Sequence, residues 1–319
     1  MHFDIFNGDA DGICSLLQLR LQNPVDAERI TGVKRDIALL DRVNAGFGDH
    51  VTVLDISMAN NAAALQRLLS AGAVVDYVDH HAAGDIPQHD NLSVTISEAP
   101  EVCTALLING RLRGARVEWA ITGAFGDNLD EPARQVGLKA GLSDGDISGL
   151  RELGVYINYN GYGPSVYDLH FHPSELYAAM YESVHPASFI DSDMFRQLCE
   201  GYSGDVAAAK TLAPAMVQRG FAIYELPNAP WARRVSGVFS NDLVRAHPQR
   251  AHAVLTEQED GAFLVSVRAP FQRRTGAEAV CSQFETGGGR AAAAGINRLP
   301  AADVDRLAAA LAAEYGDQS

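Results

Sequence analysis

The chain has 319 residues, of which 47% are hydrophobic and 20% are charged. This composition excludes an intrinsically disordered chain, and the length allows two domains that each bury a core. The formal net charge of −15 argues against a long duplex nucleic acid as partner, because an acidic surface repels polyphosphate backbones. Since no apolar run is long enough to span a bilayer, we expect a cytoplasmic protein without a membrane partner.

Up to about residue 130, short apolar runs alternate with helical patterns, which is typical of an open parallel α/β sheet. The predicted strands are 3–6, 30–33, 51–54 and 73–78, and the predicted helices are 13–21, 60–71 and 101–112. Ligands of such sheets bind outside the carboxyl ends of the strands. The N-terminal part is therefore predicted to be a parallel-sheet domain with its site at that edge.

Acidic residues and histidines follow three of these predicted strands. Asp9 and Asp11 lie in a glycine-flanked turn after the first strand, and Asp55 follows the third. The fourth strand ends in Asp79-His80-His81. We expect these side chains to meet at one sheet edge, although a single acid such as Asp11 is also explained as a helix N-cap.

Asp127 follows the apolar segment 119–126, which we interpret as a further element of the same sheet edge. Close carboxylates repel one another, and divalent cations remove this repulsion. We therefore predict two metal ions, with Asp55 bridging them and His80 and Asp127 completing the shell. Such a pair activates a hydroxide for phosphoryl transfer, and His81 is left to contact the substrate. Mixed carboxylate and imidazole ligands favour Mn²⁺, while Mg²⁺ and Co²⁺ stay open.

The remainder of the chain is predicted to form a helical segment and a smaller domain of mixed sheet and helices. Residues 131–219 show helical and irregular patterns, and the tyrosine-rich stretch 156–164 either packs its own rings or stacks on a base. The C-terminal elements are strands at 251–255 and 262–268 joined by a hairpin turn, and helices at 277–284 and 301–315. We place the domains at 1–190 and 231–319, with a linker region at 191–230.

The C-terminal part also contains a basic region. Between Trp231 and Arg298 there are nine Arg, no Lys and six acids. Arginine forks suit phosphate recognition, but a solvated arginine-rich surface explains the composition equally well.

These motifs resemble those of the DHH phosphoesterase superfamily. The resemblance rests on residues 7–12, Asp55, Asp79-His80-His81 and Asp127, and on residues 287–295, which resemble the glycine motif of the DHH-associated substrate-binding domain. It implies that Asp9 and Asp55 bind one metal, and that Asp11, Asp55, His80 and Asp127 bind the other. It also implies that His81 lies near the scissile phosphate and that Asp79 orients an imidazole.

Two positions depart from the family pattern. Asn7 stands where family members commonly have Asp or His, so the resemblance makes it a weak, neutral metal ligand. Arg290 stands where the glycine motif usually has His, which replaces a titratable donor with a permanent cation. Arg268 matches a family arginine that contacts substrate phosphate, and the backbone of Gly287, Gly288 and Gly289 is expected to approach an anion.

Together these observations predict a two-domain, metal-dependent phosphoesterase with its active site between the domains. The expected substrates are short oligonucleotides, linear or cyclic dinucleotides, and 3′-phosphonucleotides. Three alternatives stay open: a single-strand exonuclease of the RecJ type, a hydrolase of polyphosphate or pyrophosphate, and a catalytically weak nucleotide-binding protein. A homodimer also stays open.

Overall fold

The computed structural model describes residues 1–316 of the chain. The chain divides into two compact units, Met1–Glu200 and Gly201–Ser319. Each unit is built around its own sheet. Among the described helices, none is both long and apolar enough to cross a membrane.

The sheet of the first unit is entirely parallel. Its strands are β1 (His2–Phe6), β2 (Glu28–Ile30), β3 (His50–Leu54), β4 (Val74–Asp79) and β5 (Leu92–Ile96). They follow the order β2-β1-β3-β4-β5, and the apolar side chains of Ile5, Val53 and Tyr77 on the three middle strands are fully buried. The parallel α/β sheet predicted from the sequence is confirmed, and β5 is an additional strand.

The helices that begin in the first unit surround this sheet and build a second apolar layer. They are α1 (Ala10–Gln22), α2 (Ala62–Ser70), α3 (Thr104–Arg111), α4 (Val117–Gly126), α5 (Asp130–Lys139), α6 (Asp144–Asn160), α7 (Pro173–Ser183), α8 (Pro186–Ile190) and α9 (Asp193–Lys210), with 3-10 turns at Leu39–Arg42, Ala59–Asn61 and Val166–Asp168. Helix α1 is central, since residues 10–19 are all buried and the helix packs against α3 and α4. It begins three residues before the predicted start, because Asp9 caps its first turn.

The segment before Asp127 is a helix, which corrects the prediction that it is part of the sheet. Helix α4 packs against both α1 and α6, and its residues 119–126 are all buried. A helix enclosed on every side is apolar on every side, so periodicity does not distinguish it from a buried strand. Asp127 is therefore delivered by the carboxyl end of a helix and not by a strand.

The tyrosine-rich stretch lies largely inside helix α6. Tyr159 is buried, and its hydroxyl lies 2.8 Å from Nε2 of His170. His172 caps helix α7 by accepting a hydrogen bond from the backbone of Ser174. These side chains pack and cap within the first unit.

The second unit contains a mixed sheet. Its strands are β6 (Met216–Val217), β7 (Phe221–Leu226), β8 (Ala251–Glu257), β9 (Phe263–Arg268), β10 (Gly287–Arg290) and β11 (Ala293–Leu299), and its further helices are α10 (Pro230–Ala246), α11 (Ala277–Cys281) and α12 (Val304–Tyr315), with a 3-10 turn at Ala301–Asp303. The strand order is β10-β11-β9-β8-β7-β6, and only β7 and β8 pair in parallel. The predicted β8–β9 hairpin is antiparallel as expected. Residues 191–230, predicted as a linker region, contain the whole of α9 together with β6 and β7.

Candidate metal centre

The first unit has a cavity of about 150 Å³ at the edge where the β-strands end. Six of the predicted site residues line it: Asn7, Asp9, Asp55, His80, His81 and Asp127. Lys34, which the sequence analysis did not select, lines it as well. The structure therefore brings together residues that were selected from separate stretches of the first unit.

The first turn of α1 presents two buried carboxylates. Asp9 caps the helix, and its Oδ1 accepts a hydrogen bond from the Gly12 amide at 3.1 Å. Asp11 lies within that first turn and accepts hydrogen bonds from the amides of Thr104, at 2.9 Å, and Ala105, at 2.7 Å. These amides form the N-terminus of α3, where the helix dipole favours a negative charge. Asp11 is thus fixed in position by two backbone hydrogen bonds.

Asp55 follows β3 in a backbone conformation that is unusual for a residue with a side chain. Its φ is +59°, in the left-handed region, which costs about 1–3 kcal/mol outside glycine. The amide of Asp55 donates to the carbonyl of Val78 at 3.1 Å, and the hydroxyl of Thr104 donates to Oδ1 at 3.4 Å. A strained backbone held in this way at a site of clustered charge is typical of a functional residue.

His80 is oriented by a backbone carbonyl. Its Nδ1 lies 3.1 Å from the carbonyl oxygen of Val102, and because a carbonyl only accepts, Nδ1 is the donor of this hydrogen bond, which in a neutral ring leaves the lone pair on Nε2. Nε2 faces three carboxylates: it lies 3.4 Å from Oδ1 of Asp55, 3.7 Å from Oδ2 of Asp127 and 3.8 Å from Oδ2 of Asp11. A neutral ring with this hydrogen bond has the tautomer that a metal ligand requires.

The electrostatics of this cluster fit a divalent ion. Burial and the neighbouring carboxylates of Asp11 and Asp9 raise the pKa of Asp55 well above its usual range. Burial, followed by the charge of Asp11, raises the pKa of Asp127 to about 6. Ligand atoms of Asp11, His80 and Asp127 lie within 4.8 Å of one another, as do those of Asp55, His80 and His81. A cation held by these oxygens and nitrogens would remove the repulsion, and the donor set suits Mn²⁺.

Asp79 and His81 form a pair beside this cluster. The carboxylate of Asp79 is fully buried, and its Oδ1 lies 2.8 Å from Nδ1 of His81. This hydrogen bond raises the pKa of His81 against the opposing effect of burial. His81 is half exposed at the cavity. The imidazole that Asp79 contacts is thus that of His81, whereas His80 is held by Val102.

Lys34 contributes a positive charge that the sequence analysis missed. Its ammonium lies 2.5 Å from Oδ2 of Asp9, 3.1 Å from Oδ1 of Asn158 and 3.7 Å from Oδ1 of Asp127. Burial raises the pKa of Asp9, but the charge and hydrogen bond of Lys34 outweigh it, so the pKa of Asp9 lies below its ordinary value. The sequence feature that indicates Lys34 is its position, because it follows the second strand and so lies at the same edge of the sheet.

Asn7 uses both ends of its side-chain amide within the loop. Its Oδ1 accepts from the backbone amide of Asp9 at 3.2 Å, and its Nδ2 donates to the carbonyl of Lys34 at 3.2 Å. Asn7 therefore ties the turn after β1 to the segment that carries Lys34. Its role as a metal ligand stays a prediction.

The predicted substrate-binding residues lie in the second unit. The glycine run 287–289 is part of the short strand β10 and not a loop. Across the sheet, Arg290 pairs with Ala293, which pairs with Arg268, so both arginines lie in one row and on one face. Arg268 donates to Oδ1 of Asn241 on α10 at 2.9 Å. Two guanidinium groups are thus presented by one face of the sheet, and their contact with a substrate stays a prediction.

Comparisons with known proteins identify the fold. Neither a family model nor a curated protein matches the chain. Among solved structures, the chain is similar to manganese-bound exonuclease RecJ, with a TM-score of 0.61 and 16% identity over 98% of this chain and 89% of that one. It is also similar to PggH, a pGpG-specific phosphodiesterase from Vibrio cholerae, with a TM-score of 0.56 and 15% identity over 97% of both chains.

A third similar structure is the RecJ protein of Thermus thermophilus in complex with Mn²⁺, with a TM-score of 0.58 and 18% identity. The alignment covers 98% of this chain and 51% of that one. These likenesses show that the chain shares the fold of the RecJ and PggH structures. At these identities they show the fold alone.

Proposed function

We propose that the protein is a metal-dependent phosphoesterase that hydrolyses short nucleotides. The observation that carries the proposal is the convergence of Asp11, Asp55, His80 and Asp127, with Nε2 of His80 within 3.8 Å of an oxygen of each of the three carboxylates. Support comes from the fold, because the similar structures are an exonuclease and a phosphodiesterase, two of them with bound manganese.

The side chains divide the work. Asp11, Asp55, His80 and Asp127 would hold a divalent ion, for which we propose Mn²⁺. Such an ion, when bound, lowers the pKa of water and neutralises charge on phosphoryl oxygens. Two backbone amides at the N-terminus of α3 hold the Asp11 side chain in position, and the Val102 carbonyl orients the His80 ring. His81, held by Asp79 and half exposed, is placed to donate a proton to an oxygen of the phosphate.

The proposed substrate is a linear dinucleotide or an oligonucleotide of a few residues. Arg268 and Arg290 on one sheet face would bind a second phosphate through forked hydrogen bonds. The net charge of −15 disfavours long polyanions, which supports a short substrate. The similar phosphodiesterase PggH is specific for pGpG, a dinucleotide. A cytoplasmic location and a homodimer remain predictions from the sequence.

The second candidate function is single-strand exonuclease activity. The likeness to RecJ favours it, since the alignment with that exonuclease has a TM-score of 0.61. An exonuclease that follows a long strand binds many phosphates, so its affinity falls steeply with salt. A dinucleotide phosphodiesterase contacts few phosphates and has a shallow salt dependence.

Product-resolved hydrolysis with Mn²⁺ separates these functions. The substrates would be a 5′-phosphorylated dinucleotide, a five-residue and a long single strand, a cyclic dinucleotide, a 3′-phosphonucleotide and polyphosphate. We expect kcat/KM to be highest for the dinucleotide or the five-residue strand. Preference for the long strand would favour the exonuclease, and orthophosphate release from polyphosphate alone would replace the proposed substrate class. Absence of metal-dependent hydrolysis of every substrate would overturn the proposal.

A further inference from the structure

Lys34 is held in the metal centre by contacts along its whole length. Its backbone amide donates to the carbonyl of Gly161 at 2.9 Å, and its own carbonyl accepts from Asn7. Its ammonium donates to Asn158, whose Nδ2 in turn donates to the hydroxyl of Tyr162 at 3.2 Å. Because hydrogen bonds hold both its backbone and its ammonium, Lys34 has a defined position in the site.

The loop of Lys34 also packs closely on the turn that carries Asp9. A Cβ on Gly8 would lie 1.8 Å from the carbonyl oxygen of Gly32, so only glycine allows the two backbones to approach. This closeness lets Lys34 reach Asp9 from a neighbouring loop. The glycine at position 8 therefore allows the ammonium of Lys34 to lie next to Asp9.

Asp9 is engaged by this arrangement at both oxygens. Oδ1 accepts from the Gly12 amide, and Oδ2 from the Lys34 ammonium. Two groups of described side chains could hold an ion, Asp55 with His80 and His81, and Asp11 with His80 and Asp127, and Asp9 belongs to neither group. A second ion bound through Asp9, as the sequence predicted, would have to displace the ammonium.

Asp127 connects the ammonium to the ion ligands. Its Oδ1 lies 3.7 Å from Nζ of Lys34, and its Oδ2 lies 3.7 Å from Nε2 of His80. Asp127 therefore has one oxygen near the Lys34 ammonium and the other near His80, which is one of the proposed ion ligands.

The charges are consistent with this arrangement. A carboxylate at position 7 together with a divalent ion would contribute a single positive charge to this half of the site. The neutral Asn7 together with one ammonium contributes the same charge. The neutral side chain at position 7 and the lysine at position 34 thus compensate each other.

We propose that the Lys34 ammonium takes the place of the second divalent ion, so that the protein works with one bound divalent ion among Asp11, Asp55, His80 and Asp127. The inference rests on the proposed function, since it concerns the same site. It replaces the two-ion arrangement predicted from the sequence with one ion and one fixed ammonium.

The test is the number of Mn²⁺ ions bound per chain, measured by equilibrium dialysis and by electron paramagnetic resonance. We expect the unchanged protein to bind one ion and to give the six-line spectrum of isolated Mn²⁺. The double variant Asn7→Asp with Lys34→Met, which exchanges the ammonium for a carboxylate, should bind two ions and show an exchange-coupled spectrum. Lys139→Met, outside the site, serves as the matched control and should bind one.

Two ions in the unchanged protein would overturn the inference, and so would a folded double variant that still binds one. Far-ultraviolet circular dichroism reports whether the variant is folded, and the result for the unchanged protein stands without it. Hydrolysis is measured in parallel. Two bound ions with Mn²⁺-dependent hydrolysis would refute the role of Lys34 but leave the proposed function intact. A protein without Mn²⁺ binding or hydrolysis would refute the proposed function.

Discussion

Asp55 shows how the site sets local stability against function. Its left-handed backbone and its burial among other carboxylates both cost free energy in the ion-free protein. Because its pKa is raised in the folded state, the ionised carboxylate destabilises the fold at neutral pH. The same oxygen atoms are what an incoming cation would bind. Strain and repulsion at this residue are therefore expected consequences of a site prepared for an ion.

This conflict leads to a prediction for Asp55→Asn. Without added metal, we expect the variant to have a higher Tm than the unchanged protein, because the repulsion among carboxylates is reduced. With Mn²⁺, its kcat/KM should be at least about 100-fold lower than that of the unchanged protein. This loss is larger than the usual effect of replacing a residue that only hydrogen-bonds to a metal ligand. Asp76→Asn in the middle of β4, where Asp76 pairs with Arg111, is the control and should retain activity. Full activity of Asp55→Asn would exclude Asp55 as a ligand.

Asp79 should act only through His81. We expect Asp79→Asn to lower kcat by about 10–100-fold and to leave Mn²⁺ affinity within a few-fold, since Asp79 is hydrogen-bonded to His81 and not to the four proposed ligands Asp11, Asp55, His80 and Asp127. Measured kcat and the Mn²⁺ dissociation constant give the two readouts. A large loss of Mn²⁺ affinity with unchanged kcat would place Asp79 among the ligands instead.

At the scale of elements, helices α1 and α4 are the frame of the site, because Asp9 and Asp11 lie at the start of α1 and α4 ends at Asp127. They approach closely at Gly126, where a Cβ would lie 2.2 Å from the Cβ of Ala10. Such a contact cannot be relieved by rotation of a side chain. The packing of these two helices therefore fixes the distance between the carboxylates that they deliver.

Gly126→Ala is predicted to destabilise the first unit by about 1–3 kcal/mol through overpacking and to weaken Mn²⁺ binding. The control is Gly110→Ala in α3, where a Cβ meets no atom within 4 Å and where alanine should stabilise the helix by roughly 0.5–1 kcal/mol. Urea unfolding of both variants measures the effect. Equal stability of the two would show that the helices adjust and that Gly126 is not required for their contact.

In the second unit, strand β8 buries a histidine that is kept neutral. His252 is fully buried, and neither ring nitrogen has a hydrogen-bond partner among the described residues. Burial, together with the nearby charges of His247 and Arg250, lowers the pKa of His252 to about 4. In the unfolded chain the pKa is about 6.5, so between these values the unfolded state binds the additional proton.

The sign of the resulting pH dependence follows. The contribution of neutral His252 is complete above about pH 6.5 and is lost as the pH falls towards 4. Compared with His252→Leu, the unchanged protein should lose about 2 kcal/mol more unfolding free energy between pH 7 and pH 5. Urea unfolding at both pH values gives this difference. An identical pH dependence of the two proteins would mean that folding does not lower the pKa of His252.

At the scale of the whole molecule, the features that the sequence predicts correctly are those encoded by a few neighbouring residues. The strand ending in Asp79-His80-His81 and the turn containing Asp9 and Asp11 each carry their pattern within a few neighbouring residues. Helix α4 was misread because its burial on all sides removes the helical period. The ammonium of Lys34 and the tautomer of His80 depend on Asp9, Asn158 and Val102, which lie far away in sequence. No single stretch of sequence contains that information.

The most direct measurement of the central claim is the Mn²⁺ dependence of dinucleotide hydrolysis by protein from which chelator has removed all metal. We expect no hydrolysis by the stripped protein, and a rise to a plateau as Mn²⁺ is added. Separation of the products would show two mononucleotides. Undiminished hydrolysis by the stripped protein would contradict the account, because Asp11, Asp55, His80 and Asp127 would then have to act without the ion that their arrangement fits.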